Sequence, residues 1–237
     1  MSRHIMFLAK IFKQKSYAQD FIDGKLYANR LSFFKKMEDE KESNRKDRHE
    51  AATGWYQKND ISLLINDCEV TDISGPIMTQ INRHDNLNVY CLYAGHSGEF
   101  SQITIENLDS FRKHLEIPED CLILGDYAVV LTNASEFMKR VLSAIKIKKY
   151  GIRTGLVNYY DPDTFSGSFD DLDALFAKRD EYSHQKEYRI SIDTGVDGDD
   201  AITLDIGDIS DIAILVNTSN LNNLLEIKLP KGDLISC

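Results

Sequence analysis

The sequence predicts an α+β fold of mixed, mainly antiparallel sheets with short flanking helices. About ten segments have the composition of short strands, and three to five show helical spacing of apolar residues. The two kinds of segment do not alternate regularly, which favours α+β over a doubly wound parallel sheet. No repeat or Pro-rich linker divides the chain. We therefore expect residues 1–237 to form a single domain.

The first half of the chain is predicted to open on a strand, a short helix and a second strand. His4 to Phe12 is an apolar run interrupted by one lysine. Ser16 to Asp23 has helical spacing and ends before Gly24, a residue that commonly terminates helices. Leu26 to Phe34 resembles a strand that passes into a helical turn. The next predicted elements are strands at Ile61 to Ile65 and Asn88 to Ala94 and a helix at Asn107 to Leu115.

The second half contains the clearest helix and most of the predicted strands. Asn133 to Ile145 is amphipathic, with apolar residues at helical spacing. Cys121 to Leu124 and Tyr127 to Thr132 flank a Gly-Asp turn and are predicted to pair as strands. Asp170 to Arg179 is predicted to be helical. The remaining strand predictions are Gly155 to Tyr160, Glu187 to Ile192, Ala201 to Ile206 and Ile212 to Val216.

Composition limits the functional classes. Hydrophobic residues make up 42% of the chain and charged residues 28%, which is typical of a globular protein. A net charge of −10 argues against nucleic-acid binding through bulk charge. The four cysteines form no CxxC motif, so we expect free thiols in a reducing compartment. Without a signal-like segment or an apolar run of about 20 residues, we expect a cytoplasmic location and no membrane partner.

Three segments have unusual charge patterns. The segment from Lys35 to Glu50 contains six bases and six acids, and is either a solvated loop or a mobile lid over a site. The segment from Asp193 to Asp211 contains seven aspartates and no base, and is interpreted as solvated turns. Six bases and no acid lie between positions 139 and 153, which predicts either a helix C-terminus that carries cations or a surface for nucleic acid. These bases are Lys139, Arg140, Lys146, Lys148, Lys149 and Arg153.

The common catalytic and metal-binding motifs are absent from the sequence. There is no P-loop, no GxGxxG, no GxSxG and no HExxH. The six histidines show no ligand spacing, so we expect no metal. Five of them are interpreted as surface or structural residues, whereas His184 attracts interest because of its neighbours. The sequence does not exclude a nucleophilic cysteine activated by a histidine, since the two residues need to be adjacent only in space.

Gln185 and Glu187 form the most chemically suggestive pair. They lie where a loop enters a predicted strand, and residues two apart on an extended chain point in the same direction. A carboxylate there can hold a ribose hydroxyl and stabilise an oxocarbenium-like transition state, while the neighbouring amide orients a nucleophile. The alternative is structural: Glu187 and Arg189 would pair with charges on adjacent strands, and Tyr188 would pack inward.

The Q-x-E tripeptide resembles the catalytic loop and strand of mono-ADP-ribosyltransferases. The segments GKLYANRLSFFKKMED, NVYCLYA, GDYAVVL, EFMKRV, GLVNYYD and FAKRDEYSHQKEYRI together resemble an uncharacterised prokaryotic and phage-associated defence family with ADP-ribosyltransferase-like domains. The resemblance covers about two-thirds of the chain. It implies an ADP-ribosyltransferase-like fold and NAD as the substrate.

The resemblance also assigns roles to individual residues. Glu187 would be the catalytic carboxylate, and Gln185 would position the acceptor. Arg30, in YANRLS, is the nearest match to the residue that holds the dinucleotide. The nicotinamide pocket would be supported by Tyr90, Tyr93 or Ser32. The sequence lacks a Ser-Thr-Ser stretch, so it departs from the arginine-serine-glutamate branch of the transferases.

Three functions follow as hypotheses. The first is a toxin or antiphage effector that transfers ADP-ribose from NAD to RNA, DNA or protein, with an antitoxin or inhibitor protein as a further partner. The second is a nucleotide-binding sensor or antidefence module in which Glu187 only accepts a ribose hydroxyl. The third is a nuclease, for which the aspartates between positions 193 and 211 are the only supply of clustered carboxylates.

Overall fold

The computed structural model describes residues 3–36, 47 and 49–229, and the backbone of 235–236. As predicted, the architecture is α+β with mainly antiparallel sheets. The strands are β1 (Ile5–Phe12), β2 (Lys25–Arg30), β3 (Ala52–Tyr56), β4 (Leu64–Ile65), β5 (Cys68–Glu69), β6 (Ile77–Gln80), β7 (Asn88–His96), β8 (Gln102–Ile103), β9 (Tyr127–Leu131), β10 (Gly151–Leu156), β11 (Asn158–Tyr160), β12 (Gly167–Ser168), β13 (Ala177–Arg179), β14 (Glu187–Asp193), β15 (Ile202–Asp205), β16 (Ala213–Asn217) and β17 (Ile235–Ser236). The α-helices are α1 (Lys15–Ile22), α2 (Leu31–Lys36), α3 (Leu108–Leu115), α4 (Glu119–Leu122) and α5 (Ala134–Lys148).

The largest sheet has the strand order β10-β14-β7-β1-β9-β16, and every neighbouring pair in this order is antiparallel. Strand β7 is central to this sheet because it pairs with three other strands. It pairs with β14 along one edge, while β1 and β2 share its other edge. Strand β15 extends the sheet through β2. The first strand and β14 therefore lie in one sheet, separated by β7.

Helices α1 and α5 cover one face of this sheet. Phe21 of α1 and Phe137 of α5 are buried in its main apolar core, with ring centroids 5.9 Å apart. Helix α5 matches the predicted amphipathic segment and begins after Asn133, whose side chain accepts a hydrogen bond from the Glu136 backbone N–H. Its C-cap residue is Lys149, which has a left-handed backbone.

The opposite face of the sheet carries the charged residues of β14. Side chains alternate along β7, so Tyr90 and Leu92 point toward α1 and α5, whereas Tyr93 points the other way. Glu187 lies opposite Tyr93 in the β14–β7 register and shares its face. On this second face, Tyr93 packs with Cys121 of α4 and with Leu221.

Two predicted elements were wrong. Cys121 lies in the helical turn α4, whose N-cap residue is Pro118, instead of a strand. The segment predicted as a helix between positions 170 and 179 is a 3₁₀ turn at Asp173–Phe176 followed by β13. The charged segment from Lys35 to Glu50 lies for the most part outside the described residues, as does Cys237. No disulfide joins Cys68, Cys91 or Cys121 to another of the described cysteines.

In the part of the chain that the structure describes, no helix has the length and apolar character needed to cross a membrane.

Candidate functional site

Glu187 lies in a buried group of charges at the start of β14. Its carboxylate contacts Arg189 Nε at 2.7 Å and Lys178 Nζ at 3.4 Å. The side chain of Glu187 is only 6% exposed, and those of Lys178 and Arg189 are 4% and 2% exposed. Glu187 thus pairs with charged groups, but these are Arg189 of its own strand and Lys178 of β13 and not charges on the strands adjacent to β14, and the group is buried within the protein.

A second carboxylate completes the buried group. Glu50 is 3% exposed and lies 2.7 Å from Arg189 and 3.6 Å from Lys178. Each of the two carboxylates thus contacts both cations, so the four charges balance. Arg189 also donates to the Leu175 carbonyl oxygen at 2.6 Å. Ionised groups are costly to bury unless they are paired and hydrogen-bonded, and here each charge has more than one partner.

The pKa values follow from this pairing. Burial acts to raise the pKa of Glu187, but Arg189 and Lys178 outweigh it and lower that pKa below its ordinary value. Burial acts to lower the pKa of Lys178, and Glu50 and Glu187 reverse the effect and raise it. Glu187 and Lys178 are therefore charged at neutral pH. The nearby Cys91 thiol is inert as a nucleophile, because burial and Glu187 raise its pKa to about 12.

Gln185 and Glu187 converge on one ammonium group. Lys178 Nζ donates to Gln185 Oε1 at 2.9 Å and to the carboxylate of Glu187 at 3.4 Å. Gln185 ends the 3₁₀ turn Asp180–Gln185, and Lys186 follows with a left-handed backbone (φ 37°) before β14 begins. The two side chains therefore meet through a tight turn and not through an extended strand.

Arg30 does not approach Glu187, and the expectation that both hold one dinucleotide was wrong. Arg30 lies opposite Asn88 on β7, whereas Glu187 lies opposite Tyr93, five residues further along the strand. Positions of opposite parity on β7 point to opposite faces of the sheet. Arg30 is buried and donates to the carbonyl oxygens of Asn86 and Val196, the latter at 2.9 Å.

Ser32 and the two tyrosines are also separated. Ser32 lies in α2, and its hydroxyl donates to Asp199 at 3.2 Å. Tyr90 is buried in the core under α1, with Lys10 Nζ 4.4 Å from its ring centroid. Tyr93 shares the face of Glu187, but its hydroxyl donates to the Glu116 carbonyl oxygen at 3.1 Å. Arg30, Ser32 and Tyr90 therefore do not form a pocket with Glu187.

The six bases predicted as a nucleic-acid surface divide into two groups. Arg140 forms ion pairs with Glu136 at 3.1 Å and Asp211 at 2.6 Å. Lys139 pairs with Glu136 at 3.4 Å, and Arg153 with Asp173 at 3.1 Å. Lys146, Lys148 and Lys149 are exposed at the end of α5, and no acid pairs with them among the described residues. The unneutralised patch is thus smaller than the sequence predicts.

A cleft beside the start of β14 was missed by the sequence analysis. It encloses about 380 Å³, which is at the small end for ligand pockets. Two positively charged side chains, two imidazoles and two aromatic rings contribute to its walls. The lining residues are Arg3, His96, Gly98, Glu99, Phe100, His114, Tyr159, Ser183 and Lys186.

The cleft lies next to the buried group of charges, and Tyr159 connects the two. Tyr159 lines the cleft, and its hydroxyl accepts a hydrogen bond of 2.9 Å from the Glu187 backbone N–H. Lys186, between Gln185 and Glu187, donates to the His114 carbonyl oxygen. Burial lowers the pKa of Lys186, and burial together with Lys186, Arg3 and His114 lowers that of His96 to about 4. The sequence signal was weak because His96 and His114 lie on separate elements.

His184, the histidine singled out from the sequence, contacts the Glu181 carbonyl oxygen through Nδ1 at 2.9 Å. Among the described residues, no group of three or more His, Cys, Asp or Glu side chains is arranged to hold a metal ion.

Comparison with known proteins gives no relative for this chain: no family model, no curated protein and no solved structure matches it.

Proposed function

We propose that the protein is a nucleotide-binding module whose ligand occupies the cleft beside β14. The observation that carries this proposal is the position of Lys186. In a chain of net charge −10, this lysine joins Arg3 and two imidazoles in one concave site. A phosphate group would gain charge-assisted hydrogen bonds there. Phe100 and Tyr159 supply aromatic surface for a base, which inorganic phosphate alone would not use.

Titration calorimetry with AMP, ADP-ribose and NAD tests this proposal. Lys186→Gln should weaken binding by about 10- to 100-fold, since a hydrogen bond to a charged group contributes about 1.5–3 kcal/mol. Lys113→Gln is the matched control, because Lys113 is exposed next to His114. It should change affinity by less than about twofold. Absence of binding of all three compounds at millimolar concentration would overturn the proposal.

Transfer of ADP-ribose from NAD is the second candidate function. It is supported by the convergence of Gln185 and Glu187 on Lys178, next to the cleft. In this reaction nicotinamide leaves C1 of the ribose with its bonding pair, and an acceptor oxygen or nitrogen of RNA, DNA or protein attacks that carbon. The burial of Glu187 between two cations weighs against it, because the carboxylate must face the ribose.

Nicotinamide release separates the two functions. The protein should be incubated with NAD, with and without RNA, DNA and cell protein, and nicotinamide and the mass of each acceptor measured. Binding of NAD without release supports the module, whereas release that is lost in Glu187→Gln, under conditions in which circular dichroism shows this variant to be folded, supports transfer. An antitoxin or inhibitor protein would then be expected to cover the cleft.

A further inference from the structure

Two histidines form one wall of the cleft and have different hydrogen-bond partners. His96 ends β7, and His114 lies in α3, with ring centroids 5.7 Å apart in an edge-to-face arrangement. Nδ1 of His96 is 2.9 Å from the Gly98 backbone N–H. Nε2 of His114 is 3.0 Å from the His96 carbonyl oxygen. One imidazole therefore contacts a donor and the other contacts an acceptor.

These partners fix the tautomer of each neutral ring. A backbone N–H can only donate, so Nδ1 of His96 accepts and its proton is on Nε2. A carbonyl oxygen can only accept, so Nε2 of His114 carries the proton and Nδ1 keeps its lone pair. Among the residues that the structure describes, nothing is hydrogen-bonded to His96 Nε2 or to His114 Nδ1. The pair thus leaves one donor and one acceptor for a ligand.

Both rings are neutral at neutral pH. Burial, and then Lys186, lowers the pKa of His96 to about 4 and also lowers the pKa of His114. An unprotonated His114 Nδ1 needs a hydrogen-bond donor, which a phosphate dianion cannot supply. A ribose hydroxyl can supply it, since it donates as well as accepts.

We infer that the cleft selects ribonucleoside phosphates, with His96 Nε2–H donating to a phosphate oxygen beside Lys186 and His114 Nδ1 accepting from a ribose hydroxyl. This inference rests on the proposed nucleotide-binding function and specifies its ligand class. Glu99 is exposed and lines the cleft, where its carboxylate repels a second phosphate, so a monophosphate is the simplest ligand.

Calorimetry with AMP, 2′-deoxy-AMP, 3′-deoxy-AMP, 2′,3′-dideoxy-AMP and inorganic phosphate tests the inference. Wild-type protein should bind AMP about tenfold more tightly than the dideoxy compound, the size of one hydrogen bond. One of the two monodeoxy compounds should lose most of that factor, which identifies the hydroxyl. Equal affinity for AMP and dideoxy-AMP would overturn the inference and leave nucleotide binding intact.

Two isosteric variants separate the roles of the rings. In His114→Gln the amide N–H takes the place of Nε2–H and keeps the bond to the His96 carbonyl, but Nδ1 is lost. This variant should bind AMP as weakly as wild type binds dideoxy-AMP, with dideoxy-AMP affinity unchanged. In His96→Asn the amide oxygen keeps the bond from Gly98, but Nε2–H is lost. This variant should weaken AMP and dideoxy-AMP equally, by about tenfold.

Failure of the inference is distinguishable from failure of the proposed function. No binding of AMP, ADP-ribose or NAD to the wild-type protein would overturn the nucleotide-binding proposal itself. Binding of AMP, dideoxy-AMP and phosphate with no effect of His114→Gln on AMP affinity would overturn only the ribose assignment. Circular dichroism and thermal unfolding of both variants check that each remains folded before affinities are compared.

Discussion

Glu187 and Arg189, two residues apart on β14, form a 2.7 Å ion pair that is almost completely removed from solvent. Both also contact Lys178 or Glu50, so the pair belongs to a balanced group of four buried charges. Buried pairs of this kind add little net stability compared with apolar residues, but breaking one is costly. We therefore expect that loss of either the Glu187 or the Arg189 charge destabilises this face of the sheet.

Replacing Glu187 should destabilise the protein strongly. Glu187→Gln removes the charge that compensates Arg189 and Lys178, so we expect a loss of about 3–5 kcal/mol in the free energy of unfolding. An exposed ion pair, as the sequence alone allows, would cost no more than about 1 kcal/mol. Urea unfolding followed by circular dichroism measures the difference. Glu181→Gln is the control, since that side chain is 55% exposed, and it should change stability by less than about 1 kcal/mol.

The same variant tests catalysis if it folds at low temperature. A carboxylate that stabilises a ribosyl cation should contribute about 10²–10³ in rate. Nicotinamide release by folded Glu187→Gln at the wild-type rate would exclude Glu187 as the catalytic residue.

A double-mutant cycle should show that Glu187 and Arg189 act as a unit. Replacing both by methionine leaves Lys178 and Glu50 as a remaining pair, 3.6 Å apart. The double variant should therefore be more stable than the sum of the two single losses predicts, with a coupling energy above about 1 kcal/mol. Arg153 and Asp173 form an exposed pair at 3.1 Å, and its cycle should give no more than about 1 kcal/mol. Additive losses at Glu187 and Arg189 would contradict the buried network.

The periodicity of apolar residues in the sequence was sufficient to predict the fold class, but not to predict which residues form the site. Helix α5 could be predicted because its apolar spacing and its Asn133 cap agree. The buried charges could not, since Glu50 lies far from β14 in the sequence and is brought there only by tertiary packing. Arg30 and Glu187 pair with residues of β7 whose side chains point to opposite faces of the sheet. This separation can be recognised only when the strand register is known. The cleft depends in the same way on the approach of α3 to the end of β7.

A glycine at position 98 should be required for the close contacts of this residue with the imidazoles of His96 and His114. Its φ is 59°, and a Cβ there would lie 2.6 Å from His114 Nε2. Gly98→Ala therefore combines backbone strain with a collision, and should weaken AMP binding and lower stability by more than about 1 kcal/mol. Gly195→Ala is the control, because Gly195 has φ 68° and nothing within 4 Å of the added Cβ. It should show the strain without a change in affinity. Equal effects of the two variants would contradict the collision.

Stability should fall in mild acid because of His96. Its pKa is about 4 in the folded protein and about 6.5 in an unfolded chain. Between these values the unfolded chain binds more protons, so the free energy of unfolding decreases as pH falls from about 6.5 to 4 and is unaffected above that window. The full effect is at most about 3.4 kcal/mol, since one pKa unit corresponds to about 1.36 kcal/mol. His96→Asn should flatten this part of the stability curve. An unchanged slope in His96→Asn would contradict the neutral, buried imidazole.

The lysines at the end of α5 should account for binding of nucleic acid at low salt. Lys146, Lys148 and Lys149 are exposed, whereas Lys139, Arg140 and Arg153 are paired with acids. Replacing the first three by glutamine should lower the affinity for single-stranded RNA and reduce the slope of log K against log salt by about 2, since each phosphate contact on a single strand contributes about 0.7. Replacing Lys139, Arg140 and Arg153 by glutamine changes the net charge by the same amount, but should alter the slope of log K against log salt by less than about 1. Stability should change by no more than about 1 kcal/mol in the variant of Lys146, Lys148 and Lys149, through the loss of cations at the helix C-terminus.

Equal salt slopes in the two triple variants would show that RNA responds to net charge alone. The three lysines at the end of α5 would then have no specific role in binding.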